Sequence, residues 1–168
     1  MLTLKKINLD DSDKIYNFLQ ELPSENGFEN QYFGMGKADF LNLGIPERLN
    51  SEKGINLKDG YVPDTYFFLM EDQTIIGLFK VRHYLNDFLR AGAGHIGYAI
   101  HPKFRKCGYA TEGLRLAILE LKKIMVPEET EIYLSCNIDN IGSLKVQLNN
   151  NAYIHHQDEH EYYTRIKI

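Results

Sequence analysis

The segment from Gly94 to Leu116 constrains the fold of this chain more than any other part of the sequence. An apolar run that ends at Ile100 is followed by a short turn containing Gly108, and a helical pattern begins directly after that turn. A strand that passes through a short turn into a helix is typical of α/β domains. The backbone N–H groups of such a turn point outward at the positive end of the helix, which makes a site for an anion.

The residues of this turn favour a diphosphate as the anion. Arg105, Gly108 and Ala110 stand in an R-x-x-G-x-A spacing, and Lys106 adds a second positive charge. Gly108 and Ala110 leave the backbone uncovered for a close approach. The spacing differs from the three-glycine dinucleotide fingerprint and from the P-loop, which ends in Gly-Lys-Ser/Thr. The alternative interpretation is an ordinary strand-to-helix turn whose glycine relieves backbone strain.

Length and composition indicate one ordinary globular domain. The 168 residues suit a single domain over residues 1–168, and the formal net charge of -4 argues against a nucleic-acid or membrane-surface binder. No apolar run approaches the roughly 20 residues that span a bilayer. The N-terminus has no signal-peptide pattern. We therefore expect a cytoplasmic protein with no nucleic-acid or membrane partner, and the sequence leaves a homodimer open.

The cysteines and histidines predict neither a metal site nor a disulfide scaffold. Cys136 lies in an apolar strand, where an inert core thiol is expected. Cys107 lies in the turn beside two cations, which could lower its pKa, although a tolerated small residue explains it equally well. None of the six histidines stands at zinc-ligand spacing with a cysteine. We expect no bound metal.

The apolar periodicity predicts the remaining elements of an α/β domain. Strands are expected at Leu2–Ile7, Tyr66–Met70, Ile75–Val81, His95–Ile100 and Ile132–Cys136, with a terminal hairpin around Asp158-Glu159. Helices are expected after the Asp10–Ser12 cap, over Phe40–Leu49 with an interruption near Gly44-Ile-Pro46, over Gly108–Lys123 and over Ile141–Asn149. Loops are expected at Pro23–Gly36, Ser51–Asp64 and Tyr84–Ala93.

Two motifs resemble the GNAT superfamily of N-acyltransferases. Ile100–Ala110, with the pattern I-H-P-x-x-R-x-x-G-x-A, is similar to the superfamily's acetyl-CoA-binding motif, and Asn137–Ser143 followed by Val146 is similar to its next motif. The resemblance covers Thr65–Ile168 and is closest to bacterial predicted acetyltransferases of unassigned substrate. It implies a single-domain α/β GNAT fold. The implied sheet is mixed and mostly antiparallel, with a central splayed pair of parallel strands flanked by helices.

The resemblance also implies acetyl-CoA as co-substrate, with its pantetheine arm between the splayed strands. The Tyr98 and Ile100 backbones would pair with pantetheine, although both residues also suit a plain core strand. Asn137 and Asn140 also suit a turn and a helix cap. The implied cofactor-binding residues are Tyr98, Ile100, Arg105, Lys106, Cys107, Gly108, Tyr109, Ala110, Thr111, Asn137, Asn140 and Ser143.

The acid–base groups are less well indicated. The resemblance implies a tyrosine acid four residues after Ser143, where this chain has Gln147, which cannot serve as an acid. His83 and His95, at strand ends near the expected cofactor mouth, are the candidate bases, since a neutral imidazole can take up an ammonium proton. A structural, hydrogen-bonded histidine is the alternative at each position.

The expected activity is direct transfer of an acetyl group from acetyl-CoA to an amine of a small molecule or a protein N-terminus. The alternative is a non-catalytic acyl-CoA-binding regulatory module, which the glutamine at the acid position slightly favours. Acidic residues in the N-terminal segment predict an acidic acceptor wall that favours a cationic amine, unless they form a solvated surface. These residues are Glu21, Glu25, Glu29, Asp39 and Asp64.

Overall fold

The computed structural model describes residues 1–168 and contains two antiparallel sheets with helices packed against them. The strands are β1 (Leu2–Lys6), β2 (Asp64–Glu71), β3 (Thr74–Arg82), β4 (Ile96–Ile100), β5 (Glu131–Asn137), β6 (Tyr153–Gln157) and β7 (Glu161–Lys167). One sheet has the strand order β1-β2-β3-β4 and the other has the order β5-β7-β6. The predicted hairpin between β2 and β3 and the predicted terminal hairpin are confirmed.

The helices lie between these strands in chain order. They are α1 (Ser12–Gln20), α2 (Lys37–Asp39), α3 (Ile45–Glu52), α4 (Asp87–Ala91), α5 (Tyr109–Ile124) and α6 (Ile141–Leu148). None of them is long and apolar enough to cross a membrane. The four-stranded sheet is covered on both faces, with α5 on one side and α1 on the other. Side chains of β2 therefore alternate between two cores, which explains the uninterrupted apolar run from Tyr66 to Met70.

The expected break near Gly44-Ile-Pro46 is instead a wider helical turn. A π-helical segment, Phe40–Gly44, joins α2 to α3, and the Ile45 N–H donates to the Phe40 carbonyl five residues earlier. Pro46 has no N–H and stands in the first turn of α3, where a helix tolerates it. The chain remains helical from Lys37 to Glu52 because the extra residue of the π turn accommodates the proline.

A short helix occupies part of the segment expected to be a loop between Tyr84 and Ala93. The Asn86 side chain caps α4 by accepting a hydrogen bond from the Leu89 N–H at 2.9 Å, and Leu89 is buried. Five residues are too few to show helical periodicity, so the sequence pattern could not reveal this helix.

The two sheets meet at the start of β4 and then separate. The His95 N–H donates to the Tyr133 carbonyl at 2.7 Å, and Gly94 and Leu134 form one isolated bridge. No ladder joins β4 to β5, although both strands line the same cavity. The predicted α/β fold with mostly antiparallel sheet and splayed central strands is confirmed. The expected parallel pairing of the two splayed strands is absent: they belong to separate sheets, and the one bridge between their segments is antiparallel.

Candidate functional site

A cavity of about 1070 Å³ lies between the diverging strands. Its walls include residues 96–100 of β4, 135–137 of β5, the turn before α5 and the first residues of α6. Loop residues between α3 and β2 and the ends of β2 and β3 close its other side. The cavity therefore extends from the predicted anion turn to the segments before Thr65, which lie outside the sequence resemblance.

The turn before α5 presents a row of free hydrogen-bond donors. Lys106 and Gly108 have left-handed backbones, with φ of 62° and 82°. The backbone N–H groups of residues 106–110 make no hydrogen bond within the protein. All of these residues except Cys107 line the cavity. Five consecutive free donors at the start of a 16-residue helix form a cradle for an anion.

Two of the predicted turn residues are engaged in other contacts. The Thr111 N–H donates to the Gly108 carbonyl at 3.1 Å, so it is not free for a ligand. The Arg105 side chain donates from Nε to the Ile100 carbonyl at 3.1 Å and forms an ion pair with Glu25. Arg105 therefore braces the turn against β4 and the N-terminal loop, and part of its charge is neutralised.

The outer edge of β4 faces the space between the sheets. In β4, Gly97 lies opposite Lys80 of β3 and Ala99 lies opposite Leu78. The His101 N–H donates to the Ile76 carbonyl at 3.0 Å. In an antiparallel strand, every second residue forms backbone hydrogen bonds with the same neighbouring strand. Since Gly97, Ala99 and His101 face β3, the backbone N–H and C=O groups of Tyr98 and Ile100 point to the opposite edge of β4. Apart from the Ile100 carbonyl, which accepts from Arg105, this edge is open to an extended ligand that pairs with a strand.

The side chain of Tyr98 reaches across the gap, which the sequence did not indicate. Its hydroxyl lies 2.7 Å from the Ser143 Oγ in α6, and its ring stacks on Phe79 with centroids 5.5 Å apart. Burial raises the pKa of Tyr98 to about 12, against the opposing effect of the hydrogen bond to Ser143. The hydroxyl is therefore neutral near pH 7. No sequence spacing pairs residues so far apart, so this contact is visible only in the structure.

The asparagine motif is mainly structural in its side-chain contacts. Asn140 Oδ1 accepts from the Ser143 N–H at 3.2 Å and caps α6. The Asn137 side chain lies against Gly27, where an added Cβ would come within 2.9 Å of its Oδ1. Asn137, Asn140 and Ser143 all line the cavity. The structure thus brings them to the predicted site, with Asn140 already used as a cap.

The residue at the expected acid position belongs to the core. Gln147 is fully buried; its Nε2 donates to the Ser135 carbonyl at 3.0 Å and its Oε1 accepts from the Thr164 hydroxyl at 2.7 Å. Both ends of the amide are therefore satisfied by protein groups.

Neither candidate histidine lines the cavity. His95 is fully buried, its Nδ1 accepts from the Tyr133 N–H at 2.9 Å, and burial lowers its pKa to about 4. His83 lies 2.8 Å from the Thr65 hydroxyl through Nε2, and burial lowers its pKa as well. The geometry supports the structural interpretation of both imidazoles, so their assignment as bases stays a prediction that burial opposes.

The thiols are separated by the fold. Cys136 lines the cavity, and burial raises its pKa to about 11, so its thiol is neutral. Cys107 is exposed and does not line the cavity. No group of three or more His, Cys, Asp or Glu side chains is placed to hold a metal ion.

The acidic residues named from the sequence divide between the cavity wall and the outer surface, with Glu25, Glu29 and Asp64 on the wall. Glu21 and Asp39 lie outside the cavity. Glu25 is paired with the arginine of the turn, and Asp64 is 2% exposed and held by two cations. Glu29 remains on the wall without forming an acidic cluster. This end of the cavity therefore carries charges of both signs, and two of the three acids on the wall, Glu25 and Asp64, are already held in ion pairs.

The comparison with known proteins identifies the class. The sequence matches the family model described as acetyltransferase (GNAT) domain over residues 2–151, so the chain belongs to this family. The resemblance noted from the two motifs is thereby confirmed. No curated protein sequence matches the chain.

Solved structures with the same fold include three acetyltransferases of low sequence identity. The ribosomal-protein-S5-alanine acetyltransferase from Vibrio fischeri is 16% identical, with 99% of this chain and 92% of that chain covered and a TM-score of 0.70. RimL, a ribosomal L7/L12 alpha-N-protein acetyltransferase in complex with coenzyme A, is 13% identical, with 99% and 94% covered and a TM-score of 0.67. A chimera of spermidine N-acetyltransferase SpeG from Vibrio cholerae and hSSAT is 16% identical, with 99% and 95% covered and a TM-score of 0.62.

Proposed function

We propose that this chain is an N-acetyltransferase that transfers an acetyl group directly from acetyl-CoA to an amine, with residues 1–168 acting as one domain. The observation that carries the proposal is the row of free N–H groups at residues 106–110, which opens into the cavity between the splayed strands. Family membership agrees with this activity. The structural relatives act on protein N-termini or on spermidine, and one of them binds coenzyme A, so an amine acceptor is the expected substrate class.

The proposed cofactor position follows from the polarity of the walls. Diphosphate oxygens accept hydrogen bonds from residues 106–110 at the positive end of α5. Hydrogen bonds to charged groups contribute about 1.5 to 3 kcal/mol each, so this row of donors suits a doubly charged group. The pantetheine amides pair with the open edge of β4 at Tyr98 and Ile100, which holds the thioester in a fixed direction.

The proposed reaction needs no covalent enzyme intermediate. The amine nitrogen attacks the thioester carbonyl carbon, the carbon–sulfur bond breaks, and coenzyme A leaves as a thiolate with the bonding electron pair. The amine loses one proton, which passes to water or to the thiolate. No histidine reaches the cavity, so the positioning of the reactants and bulk water carry more of the catalysis than a side-chain base.

We assign Tyr98 as the hydrogen-bond donor to the leaving sulfur. Tyr98 lines the cavity, and burial raises its pKa to about 12. Without a ligand its hydroxyl donates to the Ser143 carbonyl at 3.2 Å and lies 2.7 Å from the Ser143 Oγ, so the proton must turn from Ser143 to the sulfur. A thiol has a pKa near 8.5, so full transfer of the tyrosine proton would be uphill by about 5 kcal/mol. Tyr98 therefore stabilises the developing thiolate by donating a hydrogen bond and keeps its proton.

Substitution of Gly108 tests the cofactor assignment. A Cβ at this position would have no atom within 4 Å, so a side chain would enter the cradle without a clash, although the φ of 82° strains most residues other than glycine. Because Asp and Asn tolerate a positive φ, Gly108→Asp should fold and lose at least about 100-fold in acetyl-CoA affinity, measured by titration calorimetry. Gly108→Asn adds similar bulk without charge and should lose less.

A matched control comes from Gly34, which has φ of 80°, also has no atom within 4 Å of an added Cβ, and lies outside the cavity. Gly34→Asp should bind acetyl-CoA like the parent protein. Unchanged affinity in a folded Gly108→Asp variant would show that the cofactor binds elsewhere.

A second candidate function is a non-catalytic acyl-CoA-binding module. The observation that favours it is the buried Gln147 amide at the position where the resemblance implies an acid. Release of the coenzyme A thiol from acetyl-CoA in the presence of a mixed amine panel decides between the two functions, since a module binds acetyl-CoA and releases no thiol.

A further inference from the structure

A cluster of charged side chains lines the cavity beside the start of β4. Its members are Arg48, Asp64, Lys80 and Arg82. The register of β2 and β3 places Asp64 opposite Arg82, and Lys80 is two residues before Arg82, so these three side chains share one face of the sheet. Arg48 joins them from α3. We call this group the basic cluster.

The basic cluster lies at the opposite end of β4 from the turn. Lys80 is opposite Gly97, three residues before Ile100, where the strand ends. Three residues of a strand extend about 10 Å. The basic cluster is therefore well separated from the row of free N–H groups that we assign to the diphosphate. A group bound to it would lie beyond the pantetheine arm, on the acceptor side.

The charges of the basic cluster do not cancel. Asp64 accepts from Arg48 at 3.0 Å and lies 3.5 Å from the Lys80 Nζ. Arg82 has no carboxylate within 4.0 Å, and its guanidinium donates only to the Gly94 carbonyl at 3.0 Å. One buried carboxylate thus serves two cations, and the third cation has none.

Counting the neighbouring Glu47 does not restore neutrality. Its Oε1 lies 3.0 Å from the Arg48 guanidinium, and its side chain is 44% exposed. Three cations then face two carboxylates, which leaves one positive charge in excess. The Nε of Arg48 is buried without a hydrogen-bond partner. Burial lowers the pKa of Lys80, and the nearby Arg82 adds to that effect while Asp64 opposes it.

An excess of partly buried positive charge in a cavity favours an anionic ligand. Leaving a buried charge uncompensated is unfavourable, and an anionic ligand removes that cost when it binds. The planar fork of Arg82 matches a carboxylate or a phosphate in a bidentate arrangement. The same charge repels an acceptor that carries only amines.

We propose that the acceptor is a small amine that also carries an anionic group, a carboxylate or a phosphate, which binds to Lys80 and Arg82. This inference rests on the proposed acetyltransferase function and names the substrate class of that site. The Tyr61 ring, with its centroid 5.9 Å from the Lys80 Nζ, provides an apolar surface beside the anion. Free amino acids have this combination of an amine, an anion and an apolar part. A polyamine such as spermidine lacks the anion.

Matched acceptor pairs test the proposal. The rate of coenzyme A thiol release is measured with each free amino acid against its carboxamide, with O-phosphoethanolamine against ethanolamine, and with spermidine. At least one anionic member should exceed its neutral partner by about 10-fold or more in kcat/KM, as expected for a charged hydrogen-bonded contact. The amino-acid and phosphoethanolamine arms show which anion is preferred. Equal or faster turnover of the neutral partners or of spermidine would overturn the proposal.

Variants of the basic cluster link the preference to these residues. Lys80→Met and Arg82→Gln should bring the anionic-to-neutral ratio close to one while the acetyl-CoA affinity changes less than about two-fold, because the cofactor site is at the other end of β4. Arg82→Lys keeps the charge and should keep part of the preference. The control Lys123→Met removes an exposed lysine on α5 that is paired with Glu120, and it should behave as the parent. Variants that retain the full preference would contradict the assignment.

A binding measurement separates this proposal from the proposed function. N-acetylated amino acids and their carboxamides are titrated into the protein saturated with coenzyme A, which needs no turnover. Stronger binding of the carboxylates, lost in Lys80→Met, supports the anion site even if no acceptor in the panel is acetylated. Equal binding of both forms, or no binding of either, overturns the anion site. A protein that binds no acetyl-CoA at all overturns the proposed function instead.

Discussion

His95 makes the stability of this protein sensitive to acid. The imidazole is fully buried and its pKa is lowered to about 4, whereas an unfolded histidine has a pKa near 6.5. Between these values the unfolded chain binds the proton and the folded chain does not. Stability is therefore complete above pH 6.5 and declines as the pH falls towards 4. The same burial argues against His95 as the origin of any rise in activity near pH 6.5.

Replacing His95 with asparagine should reduce this acid sensitivity. Asparagine keeps an acceptor for the Tyr133 N–H and does not titrate, so the loss of unfolding free energy between pH 6.5 and 5 should shrink by about 2 kcal/mol. Denaturant titrations at the two pH values measure the difference. The exposed His160 provides the control, because His160→Asn should leave the pH dependence unchanged. An equal pH dependence in His95→Asn and the parent would show that other groups cause it.

Tyr98→Phe should slow acetyl transfer without weakening cofactor binding. The substitution removes the hydroxyl held by Ser143 and keeps the ring that stacks on Phe79. We expect kcat to fall on the order of 10- to 100-fold, at the lower end of the range for positioned proton-handling groups, with an acetyl-CoA affinity within about two-fold of the parent. Tyr163→Phe is the matched control. It removes a hydroxyl that is bonded to Asp158, and Tyr163 lies outside the cavity. Parental kcat in Tyr98→Phe would refute the assigned role.

At the scale of the elements, two helix glycines should respond in opposite directions to alanine. A Cβ on Gly113 of α5 would come within 2.2 Å of Phe79, the ring that supports Tyr98, so Gly113→Ala should cost about 1 to 3 kcal/mol despite its better helix propensity. A Cβ on Gly142 of α6 would meet its nearest atom at 3.8 Å, so Gly142→Ala should stabilise by about 0.5 to 1 kcal/mol. Unfolding midpoints compare the two variants. If both substitutions stabilise the protein, the Phe79 ring must move away from the added methyl group at little energetic cost.

The elements that the sequence predicts well are those with a local signal. The turn with Gly108, the helix after it and the β2–β3 hairpin depend on contiguous residues, and their bounds agree with the structure to within about two residues. The π turn before Pro46 and the five-residue α4 were missed, since each depends on a backbone adjustment shorter than the period of a helix. The conformation of such short segments is set by contacts with residues that are distant in the sequence.

At the scale of the whole molecule, the candidate site also has one part that the sequence predicts and one part that only the fold reveals. The diphosphate cradle is one continuous segment, so its residues could be named from the sequence. The basic cluster comes from α3, β2 and β3: the sheet register pairs β2 with β3, and Arg48 of α3 reaches Asp64 through a tertiary contact. Counting acidic residues in the N-terminal segment therefore could not show that Glu25 and Asp64 are held in ion pairs on the cavity wall. Charge along a sequence does not show which carboxylates are already paired.

Binding of acetyl-CoA should connect the two sheets, which the free protein joins directly at only a few backbone contacts. Beyond the His95–Tyr133 bond and the Gly94–Leu134 bridge, the facing edges of β4 and β5 have no ladder between them. An extended ligand that pairs with β4 and fills the gap up to β5 should protect the Tyr98 and Ile100 amides from hydrogen exchange. The free N–H groups of residues 106–110 should be protected with them.

Hydrogen exchange followed by NMR, with and without acetyl-CoA, measures this effect. At about 100 times the dissociation constant the bound state is favoured by about 2.7 kcal/mol, so exchange at amides that open only in the free protein should slow about 100-fold. The β6–β7 hairpin, whose residues are paired with each other, is the internal reference and should change little unless global unfolding limits its exchange. Gly108→Asp, with an affinity at least about 100-fold lower, should show at most about two-fold protection at the same ligand concentration. Uniform slowing across both sheets would indicate general stabilisation, and no slowing at residues 106–110 would place the cofactor outside the splayed strands.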